Sequence, residues 1–150
     1  MKAFEFEPLN GVPMLHWQGK KPFTHIQYYP AQLSELHGRP VNGWLNEMYW
    51  GDNLHVMGHL LEKYRNTIEL IYIDPPFDSN ADYNREISIK GKKKTVFKHK
   101  QYSDIWRNDE YLQFMYERLI LCRELLSDRG SIFIHVDWRQ NSYVRILMDE

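Results

Sequence analysis

The stretch Leu70-Ile-Tyr-Ile-Asp-Pro-Pro-Phe77 runs from an apolar segment into a carboxylate, two prolines and an aromatic ring. A continuous apolar run such as 70–73 is typical of a strand that is buried on both faces of a parallel sheet. Proline fixes its own φ angle and restricts the residue before it, so the backbone is confined at Asp74 and at Pro75. The sequence therefore predicts a buried strand that ends in a stiff turn.

Strand and helix patterns alternate on both sides of this turn. The apolar run 48–50 predicts a strand, and a helix is expected to follow it with Asp52 or Asn53 as the N-cap. A strand at 131–137 and a third helix from 143 are expected near the end of the chain. This order predicts an α/β fold with parallel strands and flanking helices.

A second helical pattern lies between the strands at 70–73 and 131–137. Asn108 or Asp109 can cap its start, and Gly130 is expected to end it. Residues at three- and four-residue steps form its apolar stripe, namely Leu112, Met115, Leu119, Cys122 and Leu126. This helix is therefore expected to pack against the sheet.

Two other regions have a different character. Residues 1–46 are rich in proline, glycine and polar residues, so we expect an irregular N-terminal extension with a short helix near 31–37. Its scattered aromatic residues are expected to pack over the rest of the domain. Further along, apolar residues on both sides of Lys90-Gly-Lys-Lys-Lys94 predict a hairpin with a basic tip.

The bulk composition excludes several classes of protein. The net charge of the 150 residues is −1, so no overall positive field indicates a nucleic-acid partner. The single cysteine, Cys122, excludes an intrachain disulfide and is expected in the core. No segment resembles a signal peptide or approaches the roughly 20 apolar residues of a membrane span. We therefore expect a cytoplasmic protein without a membrane partner.

Acids follow all three predicted strands, at Asp52, Asp74 and Asp137. Ligands of open parallel sheets bind beyond the carboxyl ends of the strands, so these carboxylates and His135 are candidates to line one pocket. The Asp-Pro-Pro turn offers oxygen acceptors, and Phe77 adds a ring on which a planar group can stack. Such a site suits the exocyclic amine of adenine or cytosine.

Asp74-Pro-Pro-Phe77 resembles the catalytic motif of amino-group DNA methyltransferases, in which Asp, Asn or Ser precedes two prolines and an aromatic residue. Gly51-Asp52-Asn53 resembles the segment that closes their cofactor pocket, and 112–126 and 131–137 resemble the helix and strand after the catalytic turn. Residues 47–150 are similar to the amino-terminal part of the adenine-specific enzymes of the permuted (beta) order. Within that class they are close to the modification subunits of type III restriction systems.

The resemblance implies a partial Rossmann-like methyltransferase fold and methyl transfer from S-adenosylmethionine to the N6 amine of an adenine flipped out of DNA. The carboxylate of Asp74 and the carbonyl of Pro75 would hold the amine, while Phe77, where tyrosine is commoner, stacks on the base. The catalytic residues implied in this way are Asp74, Pro75, Pro76 and Phe77, and the cofactor contacts are Asp52, Asn53, Asp74, His135 and Asp137.

The resemblance also implies double-stranded DNA as the substrate. The basic tip would contact DNA phosphates through Lys90, Lys92, Lys93 and Lys94, and a solvated loop is expected in the free protein. A restriction subunit and a second copy of the chain are candidate partners. The sequence leaves the recognition site, the restriction partner and the oligomeric state open.

The glycine-rich turn that holds the methionine part of the cofactor in this family is missing from the sequence. No two of the 8 glycines are separated by a single residue. In the permuted order this turn follows the target-recognition region, so it is expected beyond residue 150. We therefore expect an amino-terminal fragment that binds S-adenosylmethionine weakly and methylates poorly, or not at all, on its own.

Several alternatives stay open at this point. Asp74 at the first position of the motif favours adenine N6, but enzymes acting on cytosine N4 share the pattern, and an inactive nucleic-acid-binding remnant would retain it. A nucleotide hydrolase would use 70–74 as a metal-binding strand, but the Gly-x-x-x-x-Gly-Lys-Ser/Thr loop that it requires is absent from the sequence. His55 and His59 lie one helical turn apart without an evident third ligand, so no metal is expected.

Overall fold

The computed structural model describes residues 2–7, 14–77, 82–88, 96–103 and 110–150. Within those ranges, no helix combines the length and apolar character that crossing a bilayer requires. The elements in chain order are β1 (Ala3–Glu5), β2 (His25–Gln27), α1 (Asn53–Tyr64), β3 (Ile68–Ile73), β4 (Asp82–Ser88), β5 (Val96–Ser103), α2 (Glu110–Leu125), β6 (Leu126–Ile134) and α3 (Trp138–Asp149).

Strands β3 and β6 form a parallel pair, which confirms the parallel strands that the alternating pattern predicted. Leu70 pairs with Ser131 and Ile73 pairs with Ile134, after a register shift near the start of β3. Parallel strands need a crossover connection, and here the chain leaves β3 through β4 and β5 and returns along α2. Both strands therefore end at the same edge of the sheet.

Helix α2 lies at the centre of the hydrophobic core. Tyr111 and Met115 are each 1% exposed and Leu121 is fully buried. They belong to one cluster with Leu61 of α1 and Val144 of α3. Burial of these side chains fixes the three helices against one another, because each apolar side chain removed from water contributes roughly 1.5–3 kcal/mol.

The predicted apolar stripe of α2 is confirmed over its first four residues. Met115, Leu119 and Cys122 are buried, and Leu112 packs against the core. Burial raises the pKa of the Cys122 thiol to about 12, and its Sγ lies 3.8 Å from Sδ of Met57. The cysteine is therefore a protonated member of the core, as predicted.

The parallel pair is covered on one face within the described residues. Alternate side chains of both strands pack against the helical core, namely Ile71, Ile73, Ile132 and Ile134. On the other face Leu70, Tyr72 and Phe133 are 62%, 68% and 58% exposed. The prediction that 70–73 is buried on both faces is therefore wrong, because the described helices pack together on one side.

The strand predicted at 48–50 is not formed, and the chain between β2 and α1 contains neither helix nor strand, so the helix predicted near 31–37 is wrong as well. Side-chain hydrogen bonds hold the segment before α1 instead: Tyr49 and Tyr64 donate from their hydroxyls to Glu47. Hydrogen bonds from Lys63 and these two tyrosines lower the pKa of Glu47 to about 2. Polar contacts with a helix therefore replace the expected pairing with a sheet.

Gly130 does not end the second helix, which finishes at Leu125 and passes directly into β6. The glycine lies inside β6, where a Cβ atom would stand 2.7 Å from the carbonyl oxygen of Ile68 and from the Leu126 side chain. Leu126, predicted on the helical stripe, is likewise the first residue of the strand. The glycine is needed because two strands approach closely, a reason that a helix-end pattern does not reveal.

The N-terminal extension packs by its aromatic residues, as predicted, although it also contains the antiparallel pair β1 and β2. Phe6, Trp17 and Ile26 are buried in the same cluster as the helices. Gly58 of α1 allows this approach, because a Cβ atom there would stand 2.9 Å from Cδ1 of Ile26. The extension is therefore part of the core.

Strands β4 and β5 are antiparallel, with Ser88 paired to Val96, which confirms the predicted hairpin at the level of its backbone. The predicted basic tip with Lys90, Lys92, Lys93 and Lys94 lies outside the described residues. Both candidate caps of the second helix, Asn108 and Asp109, also lie outside the described residues. The capping residue of the first helix is described, and it is Asp52, whose carboxylate accepts from the Leu54 amide.

We predict that Gly130→Ala lowers the free energy of unfolding by about 1–3 kcal/mol, because the new methyl group meets a backbone carbonyl that cannot move alone. Urea denaturation followed by circular dichroism measures this change. The matched control is Gly51→Ala, where the nearest atom, in Val56, is at an ordinary 3.5 Å. An equal effect of the two substitutions would contradict the close approach.

Candidate active site

The hydrogen bonds of the parallel ladder continue one residue beyond β6. The amide of His135 donates to the carbonyl of Ile73 at 2.9 Å, directly after the last register pair of β3 and β6. Neighbouring strands of a sheet lie about 4.8 Å apart, so the residues that follow β3 and β6 become lateral neighbours. The fold therefore brings Asp74 and His135 together at the carboxyl edge.

Asp74 holds its carboxylate in the open at this edge. Its side chain is 62% exposed, and its Oδ1 lies 3.0 Å from Nδ1 of His135, which is 60% exposed. Pro75 directly behind it is buried, while Pro76 and Phe77 are half-buried. The turn is thus anchored in the protein by its prolines and leaves an anionic acceptor accessible.

The ring of Phe77 folds back onto the same histidine. The centroids of the two rings are 5.3 Å apart and the rings are nearly perpendicular, at 83°. Edge-to-face contacts of this kind are favourable because the ring edge is positive and the ring face is negative. Asp74, Phe77 and His135 therefore form one contiguous group, with a carboxylate and an aromatic ring bound to one imidazole.

Asp52 and Asn53 lie at the start of α1, where they contact Arg118 of α2. Arg118 donates from Nε to Oδ1 of Asn53 at 2.7 Å, and its Nη2 is 3.7 Å from Oδ1 of Asp52. Burial lowers the pKa of this arginine, and its guanidinium lies over the ring of Phe114. Asp52 nevertheless keeps 54% of its side chain exposed, so it remains accessible to a ligand.

A short connection joins α1 to β3. Its three residues bring the end of the helix next to the start of the strand. The start of the helix is held by Arg118 of α2, and the strand predicted before Asp52 is absent. The fold thus positions Asp52 and Asn53 through their contact with α2.

Asp137, the third predicted carboxylate, caps α3. Its Oδ1 accepts from the Arg139 amide at 2.9 Å, and its Oδ2 accepts from Nε of the same arginine, also at 2.9 Å. These hydrogen bonds hold the pKa of Asp137 below its usual value. The cofactor contacts assigned to Asp52, Asn53, His135 and Asp137 stay predictions.

The sequence did not predict that Arg118 lies in this region. It lies in α2 between two apolar positions of the stripe. Its contact with the start of α1 becomes apparent only in the three-dimensional structure, because the two segments are distant in sequence. A charged side chain next to an apolar stripe usually faces water, so the sequence carried no distinguishing signal.

His55 and His59 contact the N-terminal extension. The ring of His55 contacts Tyr29 edge-on, and the ring of His59 stacks on Tyr28. Nδ1 of His59 also accepts from the Ala31 amide at 3.2 Å. Across the part of the chain that the structure describes, no three His, Cys, Asp or Glu residues are grouped to bind a metal ion.

Comparison with known proteins points to DNA modification. The DNA methylase family matches residues 68–150, which is more than half of the chain. A type III restriction-modification Mod subunit of Escherichia coli, EcoP15I, is 31% identical over 100% of this chain. The StyLTI Mod subunit of Salmonella typhimurium is 35% identical over 67% of the chain, and the type II methyltransferase M.EcaI of Enterobacter cloacae is 30% identical over 70%.

The matched relatives are much longer proteins. The aligned region spans 17% of the StyLTI subunit, 26% of the EcoP15I subunit and 21% of M.EcaI, so the chain corresponds to about a quarter of such a protein or less. No solved structure matches the chain significantly. The chain belongs to the DNA methylase family of N6/N4 amino-methyltransferases and is similar over its whole length to type III modification subunits.

Proposed function

We propose that this chain carries the catalytic turn of a DNA methyltransferase that transfers a methyl group from S-adenosylmethionine to the N6 amine of adenine. The observation that carries the proposal is the Asp74 carboxylate, which is exposed at the carboxyl edge of the parallel pair with the Phe77 ring beside it. The activity is proposed for a longer protein that contains residues 1–150, because the relatives are about four times this length or more.

The proposed chemistry begins with an adenine that has left the DNA helix, since its amine is not accessible in the base stack. Asp74 accepts one N–H of this amine through Oδ2, the Pro75 carbonyl accepts the other, and Phe77 stacks on the ring. Accepting both hydrogens draws the nitrogen lone pair out of conjugation with the purine ring and directs it towards an electrophile. We also assign to Asp74 the proton that the nitrogen loses when its new bond to carbon forms.

Several of the candidate residues suit S-adenosylmethionine in part. Its ribose hydroxyls and its ammonium group are donors, and the exposed carboxylates of Asp52 and Asp74 are acceptors. When bound, the cofactor supplies an electrophilic methyl group on a sulfonium. Asp52, Asn53 and Asp137 are the residues proposed to hold it. A glycine-rich turn for its methionine part is absent from the sequence.

Double-stranded DNA is the proposed macromolecular substrate. The relatives named Mod subunits belong to type III restriction-modification enzymes, so a restriction subunit is a proposed partner of the longer protein. A homodimer stays a proposal that oligomer measurements can test. The lysines of the basic tip, from Lys90 to Lys94, are proposed to bind DNA phosphates, which would position the protein without reading sequence.

We predict that Asp74→Ala abolishes methyl transfer by the longer protein, with a loss of about 10²–10⁴-fold or more, because the amine loses its anionic acceptor. The assay follows tritiated methyl groups from S-adenosylmethionine into unmethylated duplex DNA, and digestion to nucleosides identifies the product. Asp128→Ala is the matched control, since this exposed aspartate lies near the opposite end of β6.

The product separates the competing functions. N6-methyladenine lost in Asp74→Ala and retained in Asp128→Ala supports the proposal. N4-methylcytosine as the product would assign the chain to the cytosine branch of the family. Full activity of Asp74→Ala would remove this carboxylate from the mechanism.

For Phe77, we expect replacement by alanine to slow methyl transfer and replacement by tyrosine to preserve it. Stacking of a base on an aromatic side chain contributes about 1–3 kcal/mol, which corresponds to roughly 5- to 150-fold. The ratio of kcat to KM for a DNA substrate, measured for both variants, tests this expectation. Equal rates for alanine and tyrosine would show that the ring does not hold the base.

Isothermal calorimetry on residues 1–150 tests the division of the cofactor site. We predict little heat of S-adenosylmethionine binding at micromolar concentrations of the chain, because the glycine-rich turn is not in its sequence. The longer protein should bind under the same conditions. Tight binding by residues 1–150 would mean that the carboxyl edge alone suffices.

A further inference from the structure

We propose that His135 is a positioning residue for the catalytic turn: it donates a hydrogen bond from Nδ1 to Asp74 and thereby fixes which carboxylate oxygen faces the adenine amine. This inference rests on the proposed function of Asp74. It replaces a general expectation that His135 lines the cofactor pocket with a defined contact, 3.0 Å from Nδ1 to Oδ1.

The backbone pairing of β3 with β6 makes Asp74 and His135 neighbours. The hydrogen bond from the His135 amide to the Ile73 carbonyl locks the first residue after β6 beside the first residue after β3. A shift of one residue in the register would point the histidine to the other face of the sheet. The register of the parallel pair therefore brings Asp74 and His135 next to each other.

The direction of the hydrogen bond follows from the chemistry of the partners. An ionised carboxylate has only acceptors, so Nδ1 must carry the hydrogen. The neutral ring then has the Nδ1–H tautomer, and Oδ1 of Asp74 is engaged. Oδ2 is left to accept from the substrate amine. A carboxylate rotating freely about its last bond would present either oxygen, and the histidine removes that freedom.

The same imidazole also contacts Phe77, 5.3 Å away between ring centroids. His135 thus supports the two functional groups that the proposed reaction needs, the acceptor and the stacking ring. The prolines between them restrict the backbone, and the histidine restricts the side chains at each end. Support of this kind holds reacting groups in a productive geometry.

The exposure of the pair indicates that it contributes little to folding. Asp74 and His135 are 62% and 60% exposed, and exposed pairs of charged or polar groups typically add almost nothing to stability. Loss of the histidine should therefore leave the fold intact and affect the reaction alone. That combination distinguishes a positioning role from a structural one.

Three substitutions separate the hydrogen bond from the ring contact in the longer protein. His135→Asn places an amide N–H near the position of Nδ1, His135→Phe keeps a ring beside Phe77 without a donor, and His135→Ala removes both. We expect His135→Ala and His135→Phe to lower kcat roughly 5- to 30-fold, with KM for DNA little changed. His135→Asn should stay within about threefold of the unchanged protein, and thermal unfolding should be alike for all three.

Full activity of His135→Phe would overturn the proposal, because a ring without a donor would then suffice. An equal loss of activity in His135→Asn would overturn it as well, since the restored donor would have no effect. Both outcomes are read against a wild-type protein that methylates adenine, so they are independent of a failure of the proposed function.

Nitrogen-15 NMR of residues 1–150 tests the contact without any activity. We expect the imidazole of His135 to show the Nδ1–H tautomer, and Asp74→Ala to shift it towards Nε2–H. His25→Gln, at an exposed histidine in β2, is the control that should leave the His135 signals unchanged. An Nε2–H tautomer in the unchanged chain would refute the hydrogen bond even if adenine methylation is observed. An Nδ1–H tautomer in residues 1–150 together with absent methylation by the longer protein would instead refute the proposed function.

Discussion

The parallel register of β3 and β6 is the constraint on which the candidate site depends. Because Ile73 pairs with Ile134, the chain delivers one residue after each strand to the same place, and these residues are Asp74 and His135. The ladder is set by main-chain hydrogen bonds and by the apolar face that packs on α2, both far stronger in sum than the exposed contact they produce. The core therefore determines the geometry, and the site itself contributes little to stability.

In the turn, too, the residue that stabilises the fold differs from the residue that forms the candidate site. Pro75 is buried and holds the chain, whereas the carboxylate one residue earlier is open to solvent. An acceptor that is proposed to bind a substrate amine has to be left partly unsatisfied. The free-energy cost of leaving it so is small only where water can solvate the carboxylate. A stiff backbone with an exposed side chain meets both conditions, which a flexible loop or a buried acid would not.

The sequence predicted the elements that carry strong local signals and failed where long-range contacts decide. The apolar stripe of α2 up to Cys122, a cap at Asp52 or Asn53 and the strand before Asp74 follow from periodicity and turn chemistry. The structure contains all three, with Asp52 as the cap. The absent strand at 48–50 and the true role of Gly130 depend on partners distant in sequence, which no local pattern encodes. The sequence predicts that Asp74 and His135 lie at the same edge of the sheet. The contact between them also depends on where the two strands end, because parallel strands that end one residue earlier place the two side by side.

Two different devices thus place the two halves of the candidate site. Strand register positions Asp74 beside His135, while a helix cap and Arg118 position Asp52 and Asn53. A connection of three residues between α1 and β3 joins these two devices in the chain. The start of α1 is fixed by its packing against α2, and the end of β3 is fixed by its register with β6. The proposed base-binding and cofactor-binding residues are therefore held by separate parts of the same core, because α1 and α2 share one hydrophobic cluster against which β3 and β6 pack.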